Sequence, residues 1–392
     1  MIRRLAIAAT LALATSAQGL IVFDNASSTD NTKNVIDPAN ASTYPNGNAA
    51  GVPWQYVARY GLNNASAVYI GNGFLVTARH VAVSNSDIVI NGATYSRDTT
   101  FTPVPIVIPG SPNVVVDLQL QKIANPPNVS PLALAGPSTA DTFQNSVLVG
   151  WGRGKGSVTT QGWTWGNDST RALRWGTNMT NFPAQTVTYT NGISYSYVAL
   201  STAFNSNGGS DEATATLGDS GSALFRSFSG SWTLTGITAA IEASQGANTS
   251  SYNPADRTLF VRLRDYSWVL RYDHWKSRYG ISNATPDDND ADGDGIPLLT
   301  EYALGLDPTT ASQAGLPTAS WESGSLALTF TRLASATDIR VDVETSETLA
   351  VDSWTVEPAT ITVLDGSTVV QQVRATVPAT TKKFARLRIT RL

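Results

Sequence analysis

The chain has 392 residues, 42% of them hydrophobic and 14% charged, with a net charge of −4 and no cysteine. This length and apolar share allow a large core spread over two or three domains. A mildly acidic balance with no basic block excludes nucleic acid as an expected partner and gives no attraction to anionic membrane surfaces. The absence of thiols excludes disulfides, zinc-thiolate sites and cysteine nucleophiles.

Residues 1–19 read as a secretory signal: Arg3 and Arg4 form a positive start and Leu5–Ala14 an apolar core. Thr15-Ser16-Ala17 or Ala17-Gln18-Gly19 supplies a small-residue cleavage site. The apolar run is far shorter than the roughly 20 residues a membrane span needs, so the expected location is secreted: extracellular, periplasmic or at the cell surface. An exported chain without cysteine fits a bacterial exoprotein.

Residues 20 to 50, rich in Asn, Ser, Thr, Asp and Pro, read as an extended arm or loops. From Trp54 to about Ile241, short β-type runs alternate with Gly, Pro and Asn. They include Ala67–Val76, Asp87–Ile90, Val104–Ile108, Val114–Leu120, Val147–Gly150, Thr186–Tyr189 and Trp232–Ala240. That rhythm predicts an all-β barrel or sandwich. Leu259–Leu263 reads as one more strand, and Tyr266–Tyr279 carries apolar and aromatic residues at helical spacing. An acidic run, 286–295, follows. Residues 318–392 return to alternation, as in Leu326-Ala327-Leu328-Thr329-Phe330, and predict a small separate β-sandwich.

Two motifs within the β-rich region answer one another. Thr77-Ala78-Arg79-His80-Val81 contains one of only two histidines in the chain, and Gly218-Asp219-Ser220-Gly221-Ser222 offers a serine among glycines. A serine hydroxyl is a poor nucleophile at neutral pH. It needs an imidazole, with an ordinary pKa near ~6.5, to take its proton, and amide donors to hold the oxyanion that forms. Between them lies Val114-Val115-Val116-Asp117-Leu118-Gln119-Leu120, where a carboxylate inside an apolar run requires a partner. Asp87 and Asp98 lie nearer His80 in sequence but lack that context.

With Asp117-Leu118-Gln119-Leu120 between them, the His80 and Ser220 blocks resemble, in order, the three catalytic blocks of trypsin/chymotrypsin-like serine proteases. The resemblance covers about residues 50–276. Gly150-Trp151-Gly152, Leu234-Thr235-Gly236-Ile237, and Leu259-Phe260-Val261-Arg262-Leu263 followed by Trp268 are similar to that family's other landmarks. It implies a double Greek-key β-barrel with a C-terminal helix. It also implies Ser220 as nucleophile, His80 as general base and acid, Asp117 as orienter of the imidazole, and the Gly218 and Ser220 amides as oxyanion hole. Thr214 would then sit at the base of the primary substrate pocket, with Ala239 and Ile241 on its wall. That neutral lining implies small or medium apolar side chains rather than Lys or Arg. In this family a free N-terminal Ile amine often pairs with the Asp before the nucleophile, here Asp219. Ile21-Val22, however, continues into Phe23-Asp24 rather than two glycines. The expected activity is a secreted serine endopeptidase on protein or peptide substrates. The competing readings are an inactive protease-fold binding protein at the cell surface and an esterase, although the Ser220 motif is not the Gly-X-Ser-X-Gly elbow.

Asp290, Asp292, Asp294, Gly295, Ile296 and Glu301 match EF-hand spacing. The three aspartates and Glu301 would supply carboxylate oxygens, Ile296 its carbonyl, and Gly295 the sharp turn for a structural Ca²⁺. Leu298–Leu304 would form one helix, giving a dockerin-like or thrombospondin-repeat-like loop that stiffens the linker. No cofactor is expected in catalysis. The resulting division is a signal at 1–19, a protease domain at 20–280, a calcium loop and linker at 281–316, and a β-sandwich module at 317–392. Surface attachment, export sorting and substrate binding are candidate roles for the last. Gly152-Arg153-Gly154-Lys155-Gly156 lacks phosphate-loop spacing and reads as a loop.

Overall fold

The structure is a computed structural model. It describes residues 18–392 apart from 62–64, 108–114, 137–138, 140–143, 181–183, 245, 247, 254, 323, 367–368 and 379–382. The expected signal, 1–19, lies outside the described residues except for Gln18 and Gly19, which belong to strand Gln18–Val22; the ends of two expected strands at Ile108 and Val114 also lie outside them. Two compact units emerge. One draws on Met1–Pro103, Val115–Ala135 and Ala140–Leu263, the other on Val104–Val114, Gly136–Thr139 and Arg264–Leu392.

The first unit contains two large antiparallel sheets and two small ones. In its N-terminal half the strands run Ala93–Tyr95, Ile88–Ile90, Val57–Tyr60, Ala65–Gly71, Phe74–Thr77 and Val115–Lys122, in hydrogen-bonding order. Two of its hairpins turn on Asn-Gly pairs, Asn72-Gly73 (φ 53° and 87°) and Asn91-Gly92 (φ 46° and 79°). Both residues of such a turn need positive φ, which is why the pair closes tight hairpins. Ala67, Tyr69, Leu75, Ala78 and Ile88 form part of the core inside this sheet.

The second sheet runs Arg174–Thr180, Gln144–Gly150, Ala223–Phe228, Ser231–Glu242, Arg257–Arg262, Ile193–Ala203 and Gln185–Asn191. An extra pairing of Thr180 with Thr202 returns the first strand to the sixth, so the sheet curls back on itself. Leu148, Leu200, Leu224 and Phe260 pack inside. The all-β, two-barrel expectation agrees with this architecture.

The expected N-terminal arm differs from the reading in one respect. Gln18–Val22 is a strand paired with Ala213–Gly218, and Leu20 and Ile21 are wholly buried. Leu20-Ile21-Val22 is a short apolar run, and burying it outweighs the polar composition that follows.

In the second unit, the sheet Thr318–Glu322, Ser325–Leu333, Val370–Pro378, Thr360–Asp365 shares a core with the sheet Thr355–Glu357, Ile339–Ser346, Phe384–Arg391. Leu328, Phe330, Val373 and Ala375 from one meet Val343 from the other. The helical spacing of 266–279 resolves into a 3₁₀ turn, Ser267–Val269, and an α-helix, Tyr272–Arg278. A second α-helix, Leu298–Leu304, ends on Gly305 at φ 72°, the left-handed residue that commonly terminates helices. Tyr302 on this helix packs its ring at a tilt against Tyr272 and Trp275, with ring centroids at 5.2 and 5.6 Å. Its hydroxyl donates to Asp338 Oδ1 at 3.0 Å. No described helix is long and apolar enough to cross a membrane.

Candidate active site and candidate metal loop

Strand Phe74–Thr77 pairs with Val115–Lys122 so that Thr77 faces Gln119. Two residues farther along, Asp117 therefore lies beside the turn that follows Thr77. In that turn the Val81 amide donates to Ala78 O (3.1 Å), and Gln119 Nε2 donates to Val81 O (2.8 Å). Both contacts hold His80 against Asp117. The His80 backbone amide donates to Asp117 Oδ1 at 3.0 Å, and His80 Nδ1 lies 2.8 Å from Asp117 Oδ2. On the far side of the ring, Nε2 stands 2.7 Å from Ser220 Oγ. Asp117 is wholly buried and Ser220 nearly so, while His80 is only partly covered. The three expected residues are thus one hydrogen-bonded line.

The alternative carboxylates take no part. Asp87, at φ 58° just before strand Ile88–Ile90, accepts from the Ser86 hydroxyl at 3.2 Å. Asp98 accepts from Thr100 and faces Lys122 at 3.7 Å.

The serine loop is tied to the N-terminal sheet by Ser66, which sequence reading missed. Its amide donates to Ser220 O at 3.0 Å and its hydroxyl to Gly218 O at 3.0 Å. Gly221, at φ 86°, leaves no room there: a Cβ would stand 2.0 Å from Ser66 O. Gly218 has φ 107°, a conformation open to glycine at little cost. The Ser220 amide donates to no partner among the described residues, as an oxyanion donor should. Gly218 stands opposite Gln18 in the strand pairing.

Asp219 is wholly buried. Its Oδ2 accepts from the Thr216 amide at 3.0 Å, while Oδ1 is buried without a partner. Burial pushes its carboxyl well above the usual range, opposed by the Thr216 hydrogen bond and by the charges of Arg174 and Arg171. Gly150 of the expected Gly-Trp-Gly turn packs here, where a Cβ would meet Asp219 Oδ1 at 2.0 Å. Ile21 is mid-strand opposite Thr214, so no Ile21 amine meets Asp219.

The three residues expected to line the pocket lie on neighbouring strands. Thr214 Oγ1 lies 3.1 Å from Thr258 Oγ1, and Thr258 is the register partner of Ile241. Ala239 occupies the bulge between Thr238 and Ala240. Nearby carboxylates are already engaged: Glu242 pairs with Arg257 at 2.7 Å, and Asp256 accepts from the Ser244 amide and the Ser251 hydroxyl.

A further missed residue is Tyr189, whose hydroxyl donates to Asp117 Oδ2 at 2.5 Å. The remaining histidine, His274, lies in the other unit with Nδ1 buried and unpartnered. Burial and then the Arg271 charge push it down to about 4, so it stays neutral.

The acidic loop brings carboxylate oxygens of Asp290, Asp292 and Asp294 within 4.8 Å of one another. Asp290 accepts from the amides of Gly293 and Gly295, both at 2.8 Å, and Asp294 Oδ1 from the amide of Ile296. These bonds curl the loop around its own acids. Glu301 stands outside that tight group, on helix Leu298–Leu304, yet is 1% exposed with Oε2 unpartnered; Asp292 Oδ2 is buried and unpartnered as well. Burial, then the charges of Asp292, Asp294 and Asp290, push Glu301 up to about 7. A hard, oxygen-seeking cation fits this donor set, because it would satisfy both orphaned oxygens and offset the crowded charge.

Comparison with known proteins agrees on the region of the site. The Trypsin family model matches residues 42–259, and no curated protein sequence matches. Among solved structures, the chain is similar to the inactive form of Rv3671c from M. tuberculosis H37Rv. The identity is 16% and the TM-score 0.37, over 58% of this chain and 90% of that one. The active form of the Rv3671c protease gives 13% identity and a TM-score of 0.33, over 54% and 77%. The family match spans more than half of the chain and encloses His80, Asp117 and Ser220: the chain belongs to the trypsin family.

Proposed function

We propose that the protein is a secreted serine endopeptidase acting through Ser220, His80 and Asp117. The observation that carries the reading is the unbroken line from Asp117 Oδ2 to His80 Nδ1 (2.8 Å) and from His80 Nε2 to Ser220 Oγ (2.7 Å). Nδ1 can only donate to a carboxylate, so Nε2 is left as the acceptor that removes the serine proton. Ser220 Oγ then attacks the scissile carbonyl, and His80 returns the proton to the leaving amine. The buried Asp117 stabilises the imidazolium meanwhile, and water repeats the cycle on the acyl-enzyme. The Ser220 amide, with that of Gly218, receives the oxyanion. The neutral Thr214, Ala239 and Ile241 favour small or medium apolar side chains before the cleaved bond.

Asp290, Asp292, Asp294, the Ile296 carbonyl and Glu301 would hold a structural Ca²⁺. Its contribution is charge neutralisation in the second unit, and it takes no part in the reaction. The C-terminal sandwich has no assigned ligand; surface attachment, sorting, substrate binding and a purely stabilising role are its candidates. Digestion of a peptide library tests the specificity: cleavage follows small and apolar residues, and the Ser220→Ala protein yields none. Efficient cleavage after Arg or Lys would overturn the pocket assignment.

A further inference from the structure

Resting on that reading, we infer that Tyr189 is a positioning residue of the catalytic line, fixing Asp117 and setting how firmly that carboxylate holds the His80 proton.

Asp117 Oδ2 is shared. It receives the Tyr189 hydroxyl at 2.5 Å and faces His80 Nδ1 at 2.8 Å, while Oδ1 is engaged by the His80 amide at 3.0 Å. A wholly buried carboxylate needs every one of these donors. The first two compete for one oxygen, so charge drawn toward the phenol is withdrawn from the imidazole.

Tyr189 is well placed for this. It lies in strand Gln185–Asn191, directly opposite Tyr195, with ring centroids 5.1 Å apart, and its ring meets Tyr197 edge-on at 6.2 Å. That packing fixes the hydroxyl. Burial, reinforced by Asp117, raises the phenol far above its ordinary value, so it remains a donor throughout the working range. The titratable and charged groups around Asp117 are His80 and Arg79 from the turn after Thr77, and Tyr189, Tyr195 and Tyr197 from the hairpin. Of the three phenols, Tyr189 has the hydrogen bond to the carboxylate.

The sign of the effect follows. A hydrogen bond to the carboxylate lowers its attraction for the imidazolium. Removing it in Tyr189→Phe leaves Asp117 Oδ2 to His80 alone, and His80 holds its proton to higher pH.

The test is the rate of fluorophosphonate labelling of Ser220 against pH, in the full chain, which needs no knowledge of the natural substrate. Tyr189→Phe moves the acid-side midpoint upward by roughly half to one pH unit. Replacing Tyr189 with 3-fluorotyrosine, a stronger donor of nearly the same shape, moves it downward. Tyr195→Phe leaves it in place. A merely structural tyrosine would lower the plateau or the melting temperature without moving the midpoint. An unchanged midpoint in the Phe and fluorotyrosine proteins therefore overturns the inference, and if the Phe protein does not fold the fluorotyrosine arm decides alone. Failure of the unaltered protein to label at all would instead remove the proposed function beneath it.

Discussion

Asp117 and Glu301 are both carboxylates in the interior, and the chain treats them in opposite ways. Asp117 receives three donors from its own polypeptide: the His80 amide, the His80 ring and the Tyr189 hydroxyl. Glu301 has an oxygen with no partner, three aspartates nearby, and a carboxyl pushed up to about 7. Burying an ion is costly unless it is paired or hydrogen-bonded. The first acid is therefore complete within the fold, whereas the second has an oxygen that the proposed cation would satisfy. If the two proposals hold, the first arrangement is closed to solvent ions and the second ties stability to the ion content of the medium.

The sharpest way to break this contrast is at the complete site. Ser220→Ala should lower kcat by a factor on the order of 10⁶, the magnitude seen for another triad protease, measured on any peptide the native protein cleaves. Asp117→Asn, which keeps the shape but favours the wrong imidazole tautomer, should lower kcat by about 10⁴. Normal activity in either variant would mean that the hydrogen-bonded line is not the catalytic one.

The second unit offers smaller effects. His274, like Glu301, is an ionisable group that the interior leaves unserved. Its folded value of about 4 lies below the ordinary 6.5, so the unfolded chain binds the extra proton between those pH values. Stability is then fully present above pH 6.5 and lost as pH falls toward 4, by about 3 kcal/mol in all. Urea unfolding of His274→Gln should lack that slope; an identical slope would assign it elsewhere. At the acidic loop, Ca²⁺ at about a hundredfold excess over its Kd should stabilise the second unit by about 2.7 kcal/mol. The melting temperature should fall on chelation and cease to respond in Glu301→Gln. Catalysis on a short peptide should not change with the ion. Identical melting with and without Ca²⁺ would leave Glu301 an unexplained buried acid.

The residues that were legible beforehand are those whose chemistry is rare in this chain. One of two histidines, a serine between glycines, and an aspartate in an apolar run could be read because each is costly without a partner. Strand pairing then turned their order in sequence into contact. Helix Leu298–Leu304 and the alternating strands of 318–392 were visible for another reason: local periodicity reports burial directly. Ser66 and Tyr189 were not visible. Each is an ordinary strand residue whose importance arises from a register that brings it, over 154 positions from Ser66 to Ser220 and 72 from Tyr189 to Asp117, against a carbonyl or carboxylate. Strand Gln18–Val22 was missed because Gln18 and Gly19 fell within the expected signal and the polar stretch after Val22 masked three apolar residues. The helical spacing of 266–279 was real, but Tyr266–Leu270 satisfied it with a tighter turn.

The most direct measurement is mass-spectrometric mapping of fluorophosphonate labelling on the purified protein. One adduct per chain, on Ser220 and absent after His80→Ala, is the expected result. An unlabelled chain, or equal labelling without His80, would contradict an activated serine at this site.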